Sequence, residues 1–415
     1  MATPDKSTIL QALQYPTFQN GNPINGNAPG SRHQITYAFN DTASTFSFVG
    51  ANGAVAFSGF EAWSVGELLA VRRAMAHIET FLNVRFDEVS ASTNPDLDLG
   101  LADLEDGTAG YGGWKAETSG AQITAVDSFA VFDRAFDITS DRYGIVLHEI
   151  GHALGLRHSF DSGLLPDKFD TNKFSTMAYE RHPGSGAGSD AMAVFDVLAL
   201  QDIWGAARYN DGDTTYVGSR TSTTDTIWDT GGTDVLDATG TSHRVKLDLR
   251  EGEYSRFGPA YEDVVVAFGT VIEDSRGGAG NDRLAGNPAS NRIEGNRGND
   301  MLNGKQGDDI LLAGDGDDRL RGGKGDDWLN GGPGDDILRG GPGADTFVFN
   351  GGRDQIKDFQ DDTDRIKVQG FGTLADILAK AEQKGDDLWF DFGGGDLLIV
   401  HDATRAELSD GDLYV

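Results

Sequence analysis

Between residues 64 and 84 the large apolar side chains fall at Leu68, Val71, Met75, Ile78 and Leu82, the stripe expected of a helix with one buried face. Ser64 and Glu67 stand at the spacing of a capping box, so a helix is predicted over Ser64–Val84. Short apolar clusters predict strands at Ile35–Phe39 and Leu97–Leu101. A second helix is predicted over Asp141–Leu154, capped by Ser140, and a third over Val194–Trp204. Helices threaded between strands give an α/β layer domain over residues 31–210.

From Gly277 the pattern changes to a period of nine. Eight units run without insertion to Val348. Their eighth place is always large and apolar, at Leu284, Ile293, Leu302, Leu311, Leu320, Leu329, Leu338 and Phe347. The sixth place holds Asp282, Asn291, Asp300, Asp309, Asp318, Asp327, Asp336 and Asp345. A flexible acidic linker has no reason to keep one apolar side chain in register, whereas a short strand with one inward residue does. Two units make one turn of a parallel β-roll, so loops eighteen residues apart stack and an ion can sit between carboxylates such as Asp309 and Asp327. Carboxylate and carbonyl oxygens without imidazole or thiolate select Ca²⁺. The candidate calcium ligands are Asp282, Asp300, Asp309, Asp318, Asp327, Asp336 and Asp345. The stacking offers six ion positions, and the one pairing Asn291 with Asp309 is expected to be weak or empty, because the unit GNPASNRIE carries Ala289 for glycine and Asn291 for aspartate. Residues 211–276 are read as junction strands leading into the roll. Residues 349–415 are read as a β-rich cap, since Ile356, Phe359, Ile366, Val368, Leu388, Trp389, Phe390 and Leu397–Val400 are too apolar for a tail.

Composition narrows the chemistry. The 415 residues include 66 acidic and 34 basic side chains, a net charge of −32, which disfavours nucleic acid and anionic membranes and favours cations. The repeats contribute only 13 acids against 8 bases; residues 1–276 contribute 38 against 19. With no cysteine, disulfides, thiolate zinc sites and a cysteine nucleophile are excluded. No run of eighteen apolar residues predicts a membrane span, and Met1–Gly30, read as a flexible segment or short propeptide, has no Sec-type signal. Neither a GxSxG elbow nor a GxxxxGK[ST] loop occurs.

The run from His148 to His158 reads HEIGHALGLRH. Histidines four apart share a helix face, so His148 and His152 can address one zinc ion while Glu149, offset by one residue, reaches a water on it as general base. Gly155 lets the chain leave the helix and His158 returns as third ligand. Three nitrogen ligands leave a fourth position open, the mark of a catalytic site. The Ser175-Thr176-Met177-Ala178-Tyr179 stretch stands where the methionine turn of a metzincin would. The other histidines, His33, His77, His182, His243 and His401, lack ligand spacing and are read as structural or exposed, with His182 a candidate to line the cleft.

On these motifs, and on DVLALQDIWGA (Asp196–Ala206), WDTGGTD (Trp228–Asp234) and DQIKDFQDDTDRIK (Asp354–Lys367), the chain resembles the serralysins, secreted bacterial zinc endopeptidases with a calcium β-roll. The resemblance implies zinc on His148, His152 and His158, Glu149 as catalytic base, Met177 as the turn methionine, and Tyr179 as a tyrosine that ligates resting zinc and later stabilises the oxyanion. It implies protein or peptide substrates, secretion through a type I ABC exporter that reads the C-terminal Asp412-Leu413-Tyr414-Val415, a small periplasmic protein inhibitor as partner, and a monomer. Ser159, the short stretch from His158 to Met177, and Glu180 after Tyr179 depart from the family pattern, so cleavage preference does not carry over. The alternative reading is a calcium-dependent extracellular binding protein whose metal domain is catalytically silent.

Overall fold

A computed structural model describes residues 4–15, 32–42, 57–105, 107–119, 122–139, 143–169, 171–179, 191–218, 224–259, 262–409 and 412–415. Ser140, Asp141, Glu180 and His182 lie outside them. The chain divides into two compact units, one of Met1–Tyr209 with Ser219–Asp229 and one of Asn210–Gly218 with Thr230–Val415.

The first unit is built on a five-stranded sheet. In chain order its strands are β1 (His33–Asn40), β2 (Val84–Glu88), β3 (Leu97–Ala102), β4 (Gly110–Ser119) and β5 (Gln122–Asp133), arranged β2-β1-β3-β5-β4. The first four in that order run parallel, while β4 lies antiparallel to β5 and forms the edge. Four helices accompany the sheet: α1 (Lys6–Leu13), α2 (Val65–Ile78), α3 (Tyr143–Ala153) and α4 (Val194–Trp204).

Helix α2 begins with the Ser64–Glu67 capping box and buries Val71, Met75 and Ile78. It stops at Ile78, six residues before the predicted end. Thr80 turns its hydroxyl onto the His77 carbonyl at 2.6 Å, Phe81 N–H closes a shorter turn onto Ile78, and Leu82 leaves to bridge Ala206. Residues 5–15, expected to be flexible or removable, are instead folded. Asp5 caps α1, and Ile9, Ala12 and Leu13 are completely buried. Three apolar residues on one helix face supply the burial that a mobile segment would lack.

The second unit is a stack of short parallel strands in two nine-stranded sheets. The first sheet carries Asp274–Arg276, Arg292–Arg297, Ile310–Asp315, Trp328–Asn330, Thr346–Phe349 and Arg365–Val368. The second carries Arg283–Ala285, Met301–Gln306, Arg319–Lys324, Ile337–Arg339 and Arg353–Ile356. Partners within the repeats are eighteen residues apart, as in Ile293 opposite Leu311 and Leu302 opposite Leu320. All eight apolar residues of the repeat are buried between the sheets. The stack also extends upstream of Gly277. Val235–Asp237 pairs with Asp274–Arg276, and Lys246–Asp248 with the first repeat strand Arg283–Ala285, although both lie outside the uninterrupted nine-residue period. Downstream, Asp396–Val400 continues the second sheet in parallel before Asp387–Gly393 and Ala381–Lys384 close it antiparallel.

Candidate metal centres

Helix α3 brings His148 and His152 to one face, and one ring nitrogen from each of His148, His152 and His158 lies within 4.8 Å of the others. The chain leaves α3 at Gly155, whose φ of +105° suits glycine, and Leu156 N–H returns to the Gly151 carbonyl at 2.9 Å. His148 Nδ1 sits 2.8 Å from the Thr176 carbonyl and His152 Nδ1 2.9 Å from the Leu156 carbonyl. A carbonyl only accepts, so each Nδ1 carries the proton and each Nε2 keeps its lone pair. His152 Nε2 and His158 Nε2 are 3.1 Å apart, and the Tyr179 hydroxyl is 2.9 Å from His158 Nε2. Burial pushes His148 down to about 3 and His152 down to about 4, which holds both imidazoles in the neutral form that ligates metal. This donor set suits zinc.

Glu149 is buried beside the triad, and burial raises its pKa to about 8 against the opposing hydrogen bond from Gly112 N–H. The edge strand β4 comes this close because it has no side chains at two positions. A Cβ on Gly110 would stand 2.6 Å from Glu149 Cγ, and one on Gly112 would stand 2.2 Å from the Glu149 carbonyl oxygen.

Beneath the triad, Met177 is completely buried, and a Cβ on Gly151 of α3 would lie 2.9 Å from its sulfur. The turn carrying it is held by Asp196 of α4, which accepts Ser175 Oγ–H at 2.6 Å and Thr176 N–H at 2.6 Å and also the Thr176 hydroxyl. Burial raises the Asp196 pKa to about 6 against these bonds. Phe160 stacks on His158 with ring centroids 4.8 Å apart and planes 8° apart. Asp196, Gly112 and Phe160 escaped the motif search. Asp196 had a visible signal, a single acid in the apolar run Val194-Phe195-Asp196-Val197. His33, His77, His243 and His401 are each occupied locally: His33 packs on Trp204, His77 Nε2 accepts Met192 N–H, His243 meets the Phe257 carbonyl, and His401 lies against Lys357 and Asp387.

In the second unit the sixth-place carboxylates form two interior rows. The N–H of each donates to the Oδ1 of the residue one turn ahead, for example Asp300 to Asp318 at 2.7 Å and Asp309 to Asp327 at 2.8 Å. The second oxygen, Oδ2, of Asp300, Asp309, Asp318, Asp327, Asp336, Asp345 and Asp354 is buried with no hydrogen-bond partner. An unpaired buried carboxylate oxygen is costly, and a hard cation is the partner its chemistry fits. Burial raises the pKa to about 7 at Asp300, Asp309, Asp336 and Asp345, about 6 at Asp327, about 8 at Asp318 and about 9 at Asp354.

Two positions differ. Asp282 already has both oxygens engaged, by Val245 N–H and Gly278 N–H. Asn291 donates its amide to the Glu273 carbonyl at 2.9 Å, and Asn287 donates to the Ile272 carbonyl at 2.7 Å, so this loop supplies its own donors. Asp354 and Asp364, which accept from Asp336 and Asp345, continue the rows into the cap. The sequence pattern omitted them because the nonapeptide had ended, although the spacing of eighteen, or nineteen after one insertion, would have found both.

The first unit thus holds a helix-borne histidine triad with a buried methionine close by, and the second a parallel β-roll. Residues 211–403 match the peptidase M10 serralysin C-terminal family. Metallopeptidase AprA of Pseudomonas marginalis is 31% identical over 292 residues, covering 61% of this chain and 60% of that protein. Serralysin G of Dickeya chrysanthemi is 29% identical over 263 residues, covering 56% and 55%. A serralysin of Photorhabdus laumondii is 32% identical over 186 residues, covering 37% and 38%. Residues 211–403 are thus similar to a serralysin C-terminal domain, and the matched stretches span 60% and 55% of the length of the first two curated relatives. Among the described residues no helix is long and apolar enough to cross a membrane.

Proposed function

We propose that the chain is a secreted zinc endopeptidase of the serralysin kind, with a metzincin catalytic domain in the first unit and a calcium-stabilised roll in the second. The observation that carries the reading is the convergence of the His148, His152 and His158 imidazoles, the first two held neutral, beside the buried carboxyl group of Glu149. His148, His152 and His158 would hold zinc, which supplies Lewis-acid polarisation of the scissile carbonyl and acidifies a bound water. Glu149 accepts the proton of the attacking water and delivers it to the leaving amine, the work of a carboxyl group whose pKa lies near neutrality. Tyr179, exposed and close to His158, places a hydroxyl donor where an oxyanion would form. The outer edge of β4 offers unpaired backbone groups on which an extended peptide can lie as an added strand.

In the roll, the orphaned carboxylates of Asp300, Asp309, Asp318, Asp327, Asp336, Asp345 and Asp354 support calcium binding, with Asp282 engaged by backbone donors and the Asn291 loop closed by its own amides. Export by a type I route and a periplasmic inhibitor belong to the same proposal and rest on the resemblance alone. The test is casein hydrolysis by the calcium-loaded protein, with and without 1,10-phenanthroline. Wild-type activity no greater than that of Glu149→Ala would favour the silent binding protein.

A further inference from the structure

On the first sheet Arg276, Arg292 and Arg297 are neutralised by acids on neighbouring strands or two residues along, and at the end of the second sheet Arg353 lies 3.9 Å from Asp335. Arg276 lies 3.4 Å from Asp237 and 3.6 Å from Glu294, Arg292 lies 2.6 Å from Glu294, and Arg297 lies 3.9 Å from Asp315. On the second sheet the strand register builds two outward rows, one of Arg283, Met301, Arg319, Ile337 and Gln355 and one of Ala285, Asn303, Arg321 and Arg339. Within these strands neither row contains an acid, and Asp248, which continues the second row upstream of Ala285, is engaged by Arg250 at 2.7 Å. Arg283, Arg319, Arg321 and Arg339 are exposed, and among the described residues no ion pair or hydrogen bond engages their guanidinium groups. Asp358, beyond the last strand, lies within electrostatic reach of Arg339 and Arg321 but pairs with neither.

Arg321 and Arg339 are direct cross-strand partners. Like charges facing each other across a ladder are destabilising, and the first sheet demonstrates that acids fit between arginines in this architecture. Half of the eight basic residues of the repeats are therefore spent unpaired on one face of a chain with net charge −32. We propose that this face is a docking surface for a linear acidic polysaccharide.

Three features select that partner. The rows are about 7 Å apart and step by about 5 Å per strand, so they follow a narrow chain bearing a carboxylate on each or each alternate ring. Asp317 and Asp335, exposed two residues before Arg319 and Ile337, flank the rows; a duplex or a membrane surface, being broad, would lay its phosphates over them. The remaining positions, Met301, Ile337, Gln355, Ala285 and Asn303, include no aromatic ring on which the bases of a single-stranded nucleic acid could stack. Guanidinium forks match carboxylates bidentately.

The proposal is independent of the zinc centre and needs only a folded roll. The experiment is affinity electrophoresis and calorimetry of the full calcium-loaded chain with short oligogalacturonate, calcium being kept in excess. Wild type is expected to be retarded, salt-sensitively, and the quadruple variant R283Q/R319Q/R321Q/R339Q to lose roughly tenfold or more in affinity. Arg292→Gln on the opposite face should bind as wild type does, and circular dichroism should report the same fold for all three proteins. Equal binding by the quadruple variant, wild-type binding no better to oligogalacturonate than to neutral dextran, or a preference for oligothymidylate or anionic vesicles would each overturn it.

Discussion

Asp196 accepts the Thr176 N–H at 2.6 Å, and the Thr176 carbonyl in turn receives the Nδ1–H of His148 at 2.8 Å. A buried acid on α4 is thus two hydrogen bonds from a proposed metal ligand. Asp196→Ala strands the Ser175 hydroxyl and the Thr176 N–H in the interior, at about 1–3 kcal/mol for each unsatisfied group. It should also loosen zinc binding by roughly 10–100-fold, as loss of an outer hydrogen-bond partner does. Urea unfolding and chelator competition measure the two effects, and unchanged zinc affinity would refute the coupling.

Glu149→Gln removes the proton acceptor while keeping the shape of the side chain. The expected outcome is a fall in kcat of about 10²–10⁴ with zinc content unchanged by atomic absorption. Zinc lost together with activity would instead make Glu149 part of the metal-holding set.

Gly112→Ala places a methyl group 2.2 Å from the Glu149 carbonyl oxygen and 2.8 Å from His152 Cβ, so β4 must retreat from α3. A cost of about 1–3 kcal/mol is expected, with activity falling as well. Gly212→Ala, where a Cβ meets nothing within 4 Å, should be neutral. Equal melting temperatures for the two variants would contradict the packing argument.

The roll carboxylates impose a pH dependence whose sign follows from their raised values. In the metal-free folded roll Asp300, Asp309, Asp336 and Asp345 hold protons up to about 7 and Asp318 up to about 8, whereas an unfolded aspartate releases its proton near its ordinary value of 3.8. Between these limits the folded state binds more protons, so metal-free stability falls as pH rises from about 4 to 8 and is regained on acidification. In EGTA the melting temperature should be higher at pH 5.5 than at pH 8, and calcium should restore most at pH 8. A melting temperature in EGTA that rises with pH would contradict the assignment.

Asn291→Asp replaces an amide donor by a carboxylate facing Asp309, in the loop closed by the side-chain amides of Asn287 and Asn291. With Asn287→Ala alongside, the Ile272 and Glu273 carbonyls lose their side-chain donors. Equilibrium dialysis should count one more bound calcium per chain than in wild type. An unchanged count would mean that the loop backbone, and not its amides, excludes the ion.

Much of this architecture was legible from spacing. The period of nine with one apolar residue specified both the eighteen-residue register and the buried line from Leu284 to Phe347, because each short strand offers a single inward position. The motif HEIGHALGLRH similarly placed three imidazoles together, since the helical repeat and one glycine exit determine their geometry. What spacing could not reveal depends on partners far away in sequence. Asp196 takes its meaning from Thr176, Gly112 from Glu149, and α1 from a buried surface that no local pattern announces. The overlong α2 failed for a related reason: Leu82 continues the helical stripe, yet its contacts lie at Ala206. Upstream rungs such as Val235–Asp237 carry the shape of the roll, and even Gly231 and Gly232 before them, outside the nine-residue period, so a search for the unbroken repeat passes over them.

The hydrogen bonds along the interior of the roll all point one way. Asp282 donates to Asp300, Asp300 to Asp318, Asp318 to Asp336 and Asp336 to Asp354, and the companion row runs from Asn291 through Asp309, Asp327 and Asp345 to Asp364. In these two inner rows each turn is completed by a side chain from the turn that follows it, whereas on the outside Asn299 donates its N–H to Asn281, Asp317 to Asn299, Asp326 to Asp308 and Asp335 to Asp317, each to the turn before. The stack is therefore laced in both directions, its inner ties running forward and its outer ties backward. A cut between Phe349 and Asp354 deprives Asp336 and Asp345 of their acceptors, and removal of the first nine-residue unit deprives Asn299 of its own, so each turn is held by both of its neighbours.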